Sequence, residues 1–166
     1  VAADANAFVF REYLCLSRLA SLVDSKDDAE MFARRAQEIQ NNMRRHLWHP
    51  DDQIFYNLDT RNGTQIKVVS YSSFVPLWAG VAPRDDGRAS LSRYVLSPDH
   101  LLCTHGIRTL SKSDPRYNNE NIITPYSNWQ GPVWPIANYL YMHALIRYGF
   151  QAEAIAPRDQ LGLCQH

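Results

Sequence analysis

The chain has 166 residues, which is enough for one domain or for part of a larger one. Apolar residues make up 45% of it, and its 17 basic and 17 acidic residues cancel. Because no basic stripe is evident and no apolar run approaches the roughly 20 residues of a membrane span, we expect neither nucleic acid nor membrane as a partner. The first residues, V-A-A-D, show no initiator methionine and no signal-peptide pattern, so we expect the middle of a longer gene.

The cysteines are widely spaced and odd in number: Cys15, Cys103 and Cys164. This pattern predicts no disulfide framework, which favours a reducing compartment and a cytoplasmic location. Cys15 stands among apolar helix residues and is predicted to be a small buried side chain. His46 and His49 are three apart, but no carboxylate or cysteine pattern completes a ligand set. We therefore predict no metal site and no other cofactor.

Two helices are predicted before residue 48. Either Asp4 or Asn6 can cap the first helix. That helix is apolar over much of its circumference, through Phe10, Tyr13, Leu14, Leu16, Ser17, Leu19, Ala20 and Val23. Ser25 with Asp28 predicts a capping box for the second helix. The second helix has a single apolar stripe, made by Phe32, Ala36, Ile39, Met43 and Leu47. We expect an inner helix buried between neighbours, followed by an outer helix with one solvated face.

The hydrophobic period then changes. Residues 54–58 and 65–69 are short β-rich runs, and the Asn-Gly pair within residues 60–63 is a strong hairpin signal. A short helix over residues 74–79 is predicted to end at Gly80, because glycine readily takes the left-handed conformation of a helix end.

The rest of the chain is predicted to contain an outer helix, a long loop and a last helical hairpin, in that order. The outer helix is predicted over residues 85–94. Residues 96–128 have few periodic features, and a loop of that length in a compact domain is usually functional or disordered. Pro157 should end the last helix. We therefore predict that residues 1–156 belong to one domain and that residues 157–166 are an irregular tail.

The most informative stretch is residues 126–135, Y-S-N-W-Q-G-P-V-W-P. Trp129 and Trp134 bracket an amide and a Gly-Pro pair, and Pro135 suits the first position of a helix that ends near Gly149. A sugar has apolar C–H faces that lie on an aromatic ring and hydroxyls that need a bidentate amide partner. The pattern therefore predicts a sugar site. The other interpretation is that both tryptophans fill a core beside a tight turn.

Two segments carry a resemblance to a known family. The run N-W-Q-G-P-V-W-P-I-A-N-Y-L, preceded by G-I-R-T-L-S-K-S-D-P-R-Y-N, resembles the Y/N-W-x-G-P-V-W signature of glycoside hydrolase family 63. The opening D-A-N-A-F-V-F-R-E-Y resembles the D-x-N-A-x-x-x-R-E helix start of that family. The members it most resembles are the mannosylglycerate and glucosylglycerate hydrolases, with trehalases more distant. The resemblance covers residues 4 to about 150 and implies an all-α fold, a portion of an (α/α)6 toroid with a small β-hairpin insertion.

The resemblance also implies a site. Its substrate-binding residues in this chain would be Asp4, His105, Gly106, Tyr126, Trp129, Gln130 and Trp134. Members of the family hydrolyse α-glycosides with inversion, using an acid in an upstream E-x-G-x-D-type loop and a glutamate beyond the tryptophan-led helix. Neither motif is present here, so we assign no catalytic residue; the best-placed internal carboxylates are Glu12, Asp114 and Glu120. Asn128 stands where many members have Tyr, which favours the glucosylglycerate type.

Two functions stay open at this point. The chain is either the sugar-binding half of a hydrolase for an α-linked glucosyl or mannosyl substrate, for example glucosylglycerate or mannosylglycerate, or a non-catalytic carbohydrate-binding or structural helical domain. A third chemistry, sugar epimerisation or lyase action, would want a histidine pair facing the pocket, and only His105 is well placed. On the first interpretation the partners are a carbohydrate substrate and the remainder of the catalytic domain, or a second copy of the chain. The fragment alone would then be inactive.

Overall fold

The computed structural model describes residues 1–120 and 127–160, with the side chains of residues 1–120 and 127–155. The helices are α1 (Ala3–Leu22), α2 (Lys26–His46), α3 (Val75–Ala79), α4 (Arg84–Ser90), α5 (Pro135–Arg147) and α6 (Gln151–Gln160). The strands are β1 (Trp48–His49), β2 (Ile54–Phe55), β3 (Asn57–Asp59), β4 (Thr64–Ile66), β5 (Leu102–Cys103) and β6 (Gly106–Ile107). A 3-10 turn over Tyr71–Ser73 precedes α3, and a π-helical turn over Leu91–Val95 continues α4.

The helices form three hairpins arranged in two layers. α1 packs along α2, where the Ser17 hydroxyl donates to the Ala29 carbonyl at 2.8 Å and the ring centroids of Tyr13 and Phe32 lie 6.1 Å apart. α3 lies between α1 and α5, and α6 packs on α5. Thus α1, α3 and α5 form an inner layer, α2 and α6 pack on its outer side, and α4 contacts the end of α5.

Close packing at a glycine fixes α4 against the end of α5. A Cβ atom on Gly87 would lie 2.1 Å from the Tyr148 ring, so only glycine fits there. The Arg88 guanidinium donates to the Tyr148 carbonyl at 2.6 Å, and the Tyr148 hydroxyl donates to the Ala82 carbonyl at 3.0 Å. These contacts hold the second and third hairpins together.

The predicted hairpin and short helix are confirmed. Strands β3 and β4 are antiparallel, with Asn57 opposite Ile66 and Asp59 opposite Thr64, and the turn over residues 60–63 ends at Gly63 with φ +71°. Gly80 ends α3 with φ +87°. The pairs β1–β2 and β5–β6 were not predicted, because a strand of two residues carries no readable period.

The second helix forms as predicted, but its predicted capping box does not: the Ser25 side chain accepts no backbone N–H of the first turn, and the Ser25 N–H donates to the Ala20 carbonyl. Ser25 is its N-cap residue, and the Ser25 hydroxyl donates to the Asp28 carboxylate at 2.8 Å. Ala36, Met43 and Leu47 are buried along one side. Ile39 is half-buried beside them, whereas Arg34, Gln37 and Glu38 on the opposite side are exposed, as expected for an outer-layer helix.

The predicted cap of the first helix is wrong. Ala2 is the N-cap residue, and both Asp4 and Asn6 lie inside the helix, where the Asp4 carboxylate accepts from the first-turn N–H of Ala5 at 2.8 Å. The Ala3 N–H instead donates to the side-chain oxygen of Asn57 at 2.8 Å. A residue of β3 therefore supplies the acceptor that the helix terminus needs.

Two further predictions fail for local reasons. Cys15 is exposed, because it lies on a face of α1 that no described element covers. α6 extends to Gln160, past Pro157, since a proline withdraws one N–H donor and weakens a turn without always ending the helix. The domain boundary at residue 156 stays a prediction, and residues 161–166 lie outside the described residues.

Apolar side chains remain exposed on two inner-layer helices. On α1 and its C-cap residue these are Phe8, Val9, Leu19, Leu22 and Val23, and on α5 they are Ile136, Tyr139 and Ile146. A contiguous apolar surface beyond a few hundred Å² usually marks a partner or a tendency to aggregate. Within residues 1–120 and 127–160, no helix has the length and apolarity needed to cross a membrane.

We expect the isolated chain to self-associate, or to fold poorly, through this exposed apolar surface. Leu19→Lys combined with Ile146→Lys should reduce the associated fraction measured by light scattering, because the charges oppose burial of the surface. Met31→Lys, on the exposed side of α2, is the control and should leave association unchanged. A sharp monomer of the unmodified chain, with strongly protected amides in both α1 and α5, would contradict the expectation.

Candidate functional site

The N-terminal ends of the inner-layer helices meet at one place. Asp4 lies in the first turn of α1, Tyr71 precedes α3, and Trp134 is the N-cap residue of α5. The Tyr71 hydroxyl lies 3.5 Å from the Asp4 carboxylate, and the Tyr71 ring lies 5.0 Å from that of Trp129. Because helix N-termini carry partial positive charge, this end of the layer favours oxygen-rich and anionic groups.

Trp129 and Trp134 form a stacked pair. Their ring centroids are 5.0 Å apart and their planes differ by 7°. The Trp134 indole N–H donates to the Asn128 carbonyl at 2.8 Å, and its ring packs against the core. Trp129 is 37% exposed. The core-filling interpretation therefore fits Trp134 in part, whereas Trp129 keeps ring surface open to a ligand.

A network of side-chain amides closes the loop that carries this pair. Asn128 is buried: its Nδ2 donates to the Asn118 Oδ1 and to the Glu120 carbonyl, each at 2.7 Å, and its Oδ1 accepts from the Gln130 N–H at 2.8 Å. The Asn118 N–H donates to the Gln130 carbonyl at 2.8 Å. All hydrogen-bonding atoms of the Asn128 side chain are thus used within the protein. Asn128 fixes the loop and is not placed to contact a ligand.

His105 lies in a separate cleft of about 410 Å³. Its lining includes the Arg108 and Tyr117 side chains and residues 131–133 of the tryptophan motif. The Arg108 guanidinium donates to the Tyr117 hydroxyl at 3.1 Å. Gly106, next to His105, is buried in β6 and does not line the cleft.

Asn138 joins this cleft to the aromatic pair. Its side-chain oxygen accepts from the Ile107 N–H at 2.9 Å, and its NH₂ donates to the Ile107 carbonyl at 2.8 Å and to the Trp134 carbonyl at 3.0 Å. Asn138 is fully buried. A single amide on α5 therefore fixes the β5–β6 hairpin beside the start of its own helix.

The structure divides the predicted site residues into groups. Asp4 and Trp129 lie against Tyr71, and Trp134 stacks on Trp129. Gln130 is exposed next to Trp129, and His105 lines the neighbouring cleft. Tyr126 lies outside the described residues. Tyr71, Asn118 and Asn138 were missed by the sequence analysis. Tyr71 stands in a segment without a functional motif, whereas Asn118 and Asn138 lie inside the quoted motif runs but were given no role.

The carboxylates singled out from the sequence do not form a catalytic pair in the part of the chain that the structure describes. Asp114 accepts two hydrogen bonds from the Arg116 guanidinium, at 2.9 and 2.8 Å, and a third from the Arg116 backbone N–H at 2.9 Å, and these hold the pKa of its carboxyl below the usual range. Glu12 and Glu120 are exposed. A general acid needs a pKa raised toward the working pH, which is the opposite of what Asp114 shows. Among the described residues, no three His, Cys, Asp or Glu side chains group as metal ligands.

Helical hairpins in two layers, with exposed aromatic side chains at the shared N-terminal end of the inner layer, define part of a helical-toroid glycoside hydrolase. The chain belongs to the mannosylglycerate hydrolase MGH1-like glycoside hydrolase domain family, whose model matches residues 1–165. The predicted fold class, a portion of an (α/α)6 toroid, is confirmed by the solved structures it resembles.

The relatives that match this chain are larger proteins, and the match covers only part of each. The chain is 30% identical over 156 residues to a mannosylglycerate hydrolase of Rubrobacter radiotolerans, covering 94% of this chain and 34% of that protein. It is 26% identical over 131 residues to a probable mannosyl-oligosaccharide glucosidase of Schizosaccharomyces pombe, covering 76% of this chain and 16% of that protein. The family 63 mannosylglycerate hydrolase of Thermus thermophilus, solved with glucose, matches 96% of this chain and 36% of its own, with a TM-score of 0.80 at 21% identity. The chain thus spans about a third of the length of the mannosylglycerate hydrolases it matches.

The loop that carries the aromatic pair should not tolerate a side chain at Gly131. Its φ is +156°, and a Cβ atom would lie 2.1 Å from the Asn118 carbonyl oxygen, a backbone atom that cannot move aside alone. We expect Gly131→Ala to cost about 2–4 kcal/mol of unfolding free energy, from backbone strain and overpacking together. Denaturant melts measure this cost.

Gly63→Ala is the matched control, because Gly63 has φ +71° but nothing within 4 Å of the added Cβ. It isolates backbone strain, worth about 1–2 kcal/mol. A Gly131→Ala cost no larger than the Gly63→Ala cost would contradict the predicted clash.

Proposed function

We propose that the full-length protein carrying this chain hydrolyses an α-linked glucosyl or mannosyl substrate with inversion, and that the chain supplies its sugar-binding half. The observation that carries the proposal is Trp129, a partly exposed indole stacked on Trp134 where Asp4 and Tyr71 also lie. Asp4, Trp129, Gln130 and Trp134 would contact the sugar, with His105, Gly106 and Tyr126 at the edge of the site. The names of the relatives support mannosylglycerate as the substrate, and glucosylglycerate stays a prediction from the family resemblance.

The geometry suits a pyranose in two respects. A sugar face laid on an indole hides roughly 50 Å² of apolar surface, worth on the order of 1 kcal/mol. Hydroxyl oxygens at the rim of the ring would meet the positive ends of α1 and α5, the Asp4 carboxylate and the Tyr71 hydroxyl. Because each contact is modest, binding depends on several of them acting together.

Inversion needs one acidic and one basic carboxyl group roughly 6.5–9.5 Å apart, flanking a water molecule. The chain lacks both family motifs for these groups. We therefore place the acid and the base outside residues 1–166, in the remainder of the catalytic domain that would also cover the exposed faces of α1 and α5. Acid–base hydrolysis of this kind requires no cofactor.

A cytoplasmic location is part of the proposal. Its support is that Cys15 and Cys103, the two cysteines in the described residues, are both free thiols. A non-catalytic binding domain is not favoured, since the matching family is one of hydrolases and its model spans almost the whole chain.

Activity should require the full-length protein. We expect it to release glucose or mannose from an α-glycoside, with the inverted anomer detected first by NMR. The purified 1–166 chain should release neither sugar, because acid–base assistance contributes about 10²–10⁴-fold per group and both groups are absent. Clear turnover by the short chain, free of host enzyme, would overturn the assignment of the catalytic groups.

A mutation can distinguish the proposed sugar contact of Trp129 from a role in core packing. In the full-length protein, Trp129→Ala should lower kcat/KM by about 1–3 kcal/mol of transition-state stabilisation and leave the Tm nearly unchanged. Trp48→Ala is the control: Trp48 packs edge-on against Phe55 at 4.9 Å, so its loss should lower the Tm instead. If Trp129→Ala loses about 3–5 kcal/mol of stability, the indole is core and the proposed sugar contact fails.

A further inference from the structure

The orientation of the Gln130 side-chain amide is set indirectly: backbone groups fix the orientation of the Asn118 amide, and the Asn118 amide fixes that of Gln130. The Asn118 side chain lies between two of them: its Oδ1 accepts from the Glu120 N–H at 3.2 Å, and its Nδ2 donates to the Arg116 carbonyl at 3.2 Å. A backbone N–H can only donate and a backbone carbonyl can only accept. The positions of oxygen and nitrogen in the Asn118 amide therefore follow from its partners.

The same reasoning extends to the next amide. The Asn118 Nδ2 also donates to the Gln130 side chain at 3.0 Å, so the Gln130 atom that faces it must be the oxygen, Oε1. The Gln130 NH₂ group then points away from Asn118. Among the residues that the structure describes, this NH₂ group has no protein acceptor, and Gln130 is exposed.

A glutamine free on both sides could accept and donate at once, which is the bidentate contact predicted from the sequence. In the structure, the oxygen of the Gln130 amide already accepts a hydrogen bond from Asn118. The Gln130 side chain therefore turns its NH₂ donors away from Asn118, while one of the two lone pairs of its Oε1 is taken by Asn118.

We propose that Gln130 is a specificity-determining residue that donates its NH₂ hydrogens to an acceptor oxygen of the sugar bound on Trp129, and that Asn118 is the positioning residue that sets this polarity. The inference rests on the proposed function, since it takes the ligand to be a sugar. It implies that the ligand oxygen facing Gln130 carries no proton, as in the ring or glycosidic oxygen, because a hydroxyl could also donate to a carboxylate in that place.

Two substitutions at Gln130 test the polarity. Gln130→Glu keeps the shape and can still accept from Asn118, but it turns an acceptor toward the ligand. Gln130→Ala only removes the contact. The dissociation constants of methyl α-mannopyranoside and methyl α-glucopyranoside, measured by calorimetry on the full-length protein, should rise about 2–10-fold for Gln130→Ala, as for one lost hydrogen bond. They should rise further for Gln130→Glu. Binding by Gln130→Glu as tight as the unmodified protein would overturn the proposal.

Asn118→Asp tests the positioning role. An aspartate cannot donate, so Gln130 must rotate its NH₂ toward residue 118 and present its oxygen to the ligand. We expect weaker binding with Gln130 intact and no further loss when Asn118→Asp is added to Gln130→Ala. Additive losses in this double-mutant cycle would mean that Asn118 acts only through loop structure, and would overturn the positioning role. Asn41→Asp, an exposed amide on α2, controls for the added charge.

The measurements keep the two proposals apart. If the full-length protein binds the glycosides with the expected order of variants but hydrolyses no α-glycoside, the proposed activity fails and the polarity of Gln130 stands. If it hydrolyses them and the order is reversed, the activity stands and the polarity fails. If neither glycoside binds, the polarity proposal is wrong.

Discussion

Asparagine side chains satisfy the backbone groups that regular secondary structure leaves unpaired. Asn57 accepts from the N-terminus of α1, Asn138 makes two hydrogen bonds to Ile107, and Asn118 and Asn128 connect the two loops before α5. Buried peptide groups without a partner would cost free energy comparable to a lost hydrogen bond each. The strands here are only two or three residues long, so they cannot supply enough partners. The irregular loops that carry the aromatic residues depend on these amides for a single conformation.

Because the loops depend on asparagine side chains, some of them distant in sequence, only part of the fold can be predicted from the sequence. The stripe of α2, the turn at Gly63 and the start of α5 at Pro135 are local, because a few neighbouring residues determine each of them. The cap of α1 comes from a residue 54 positions away, and no pattern near Asp4 indicates it. Cys15 shows the same limit, since helical periodicity identifies apolar faces but not which face a neighbour covers.

The candidate site was predictable only as far as the family resemblance reached. It identified Trp129 and Trp134 but gave them equal roles, whereas the structure anchors Trp134 to the core and leaves Trp129 open. It also grouped His105 with the tryptophans, although the His105 cleft is separate. Tyr71 could not be identified from the sequence, because its contact with Asp4 joins residues 67 positions apart.

The arrangement of the helices constrains how this half of the site can take part in proton transfer. α1 and α5 are long enough to carry a sizeable dipole, and both direct its positive end toward Asp4 and Trp129. A carboxyl group brought to this end is stabilised in its ionised form, which lowers its pKa and suits a general base. A general acid must stay protonated near neutral pH, which requires apolar surroundings or a neighbouring negative charge. The only described carboxylate at this end, Asp4, adds such a charge beside Tyr71. On the proposed mechanism, this end of the helix layer therefore suits the base better than the acid.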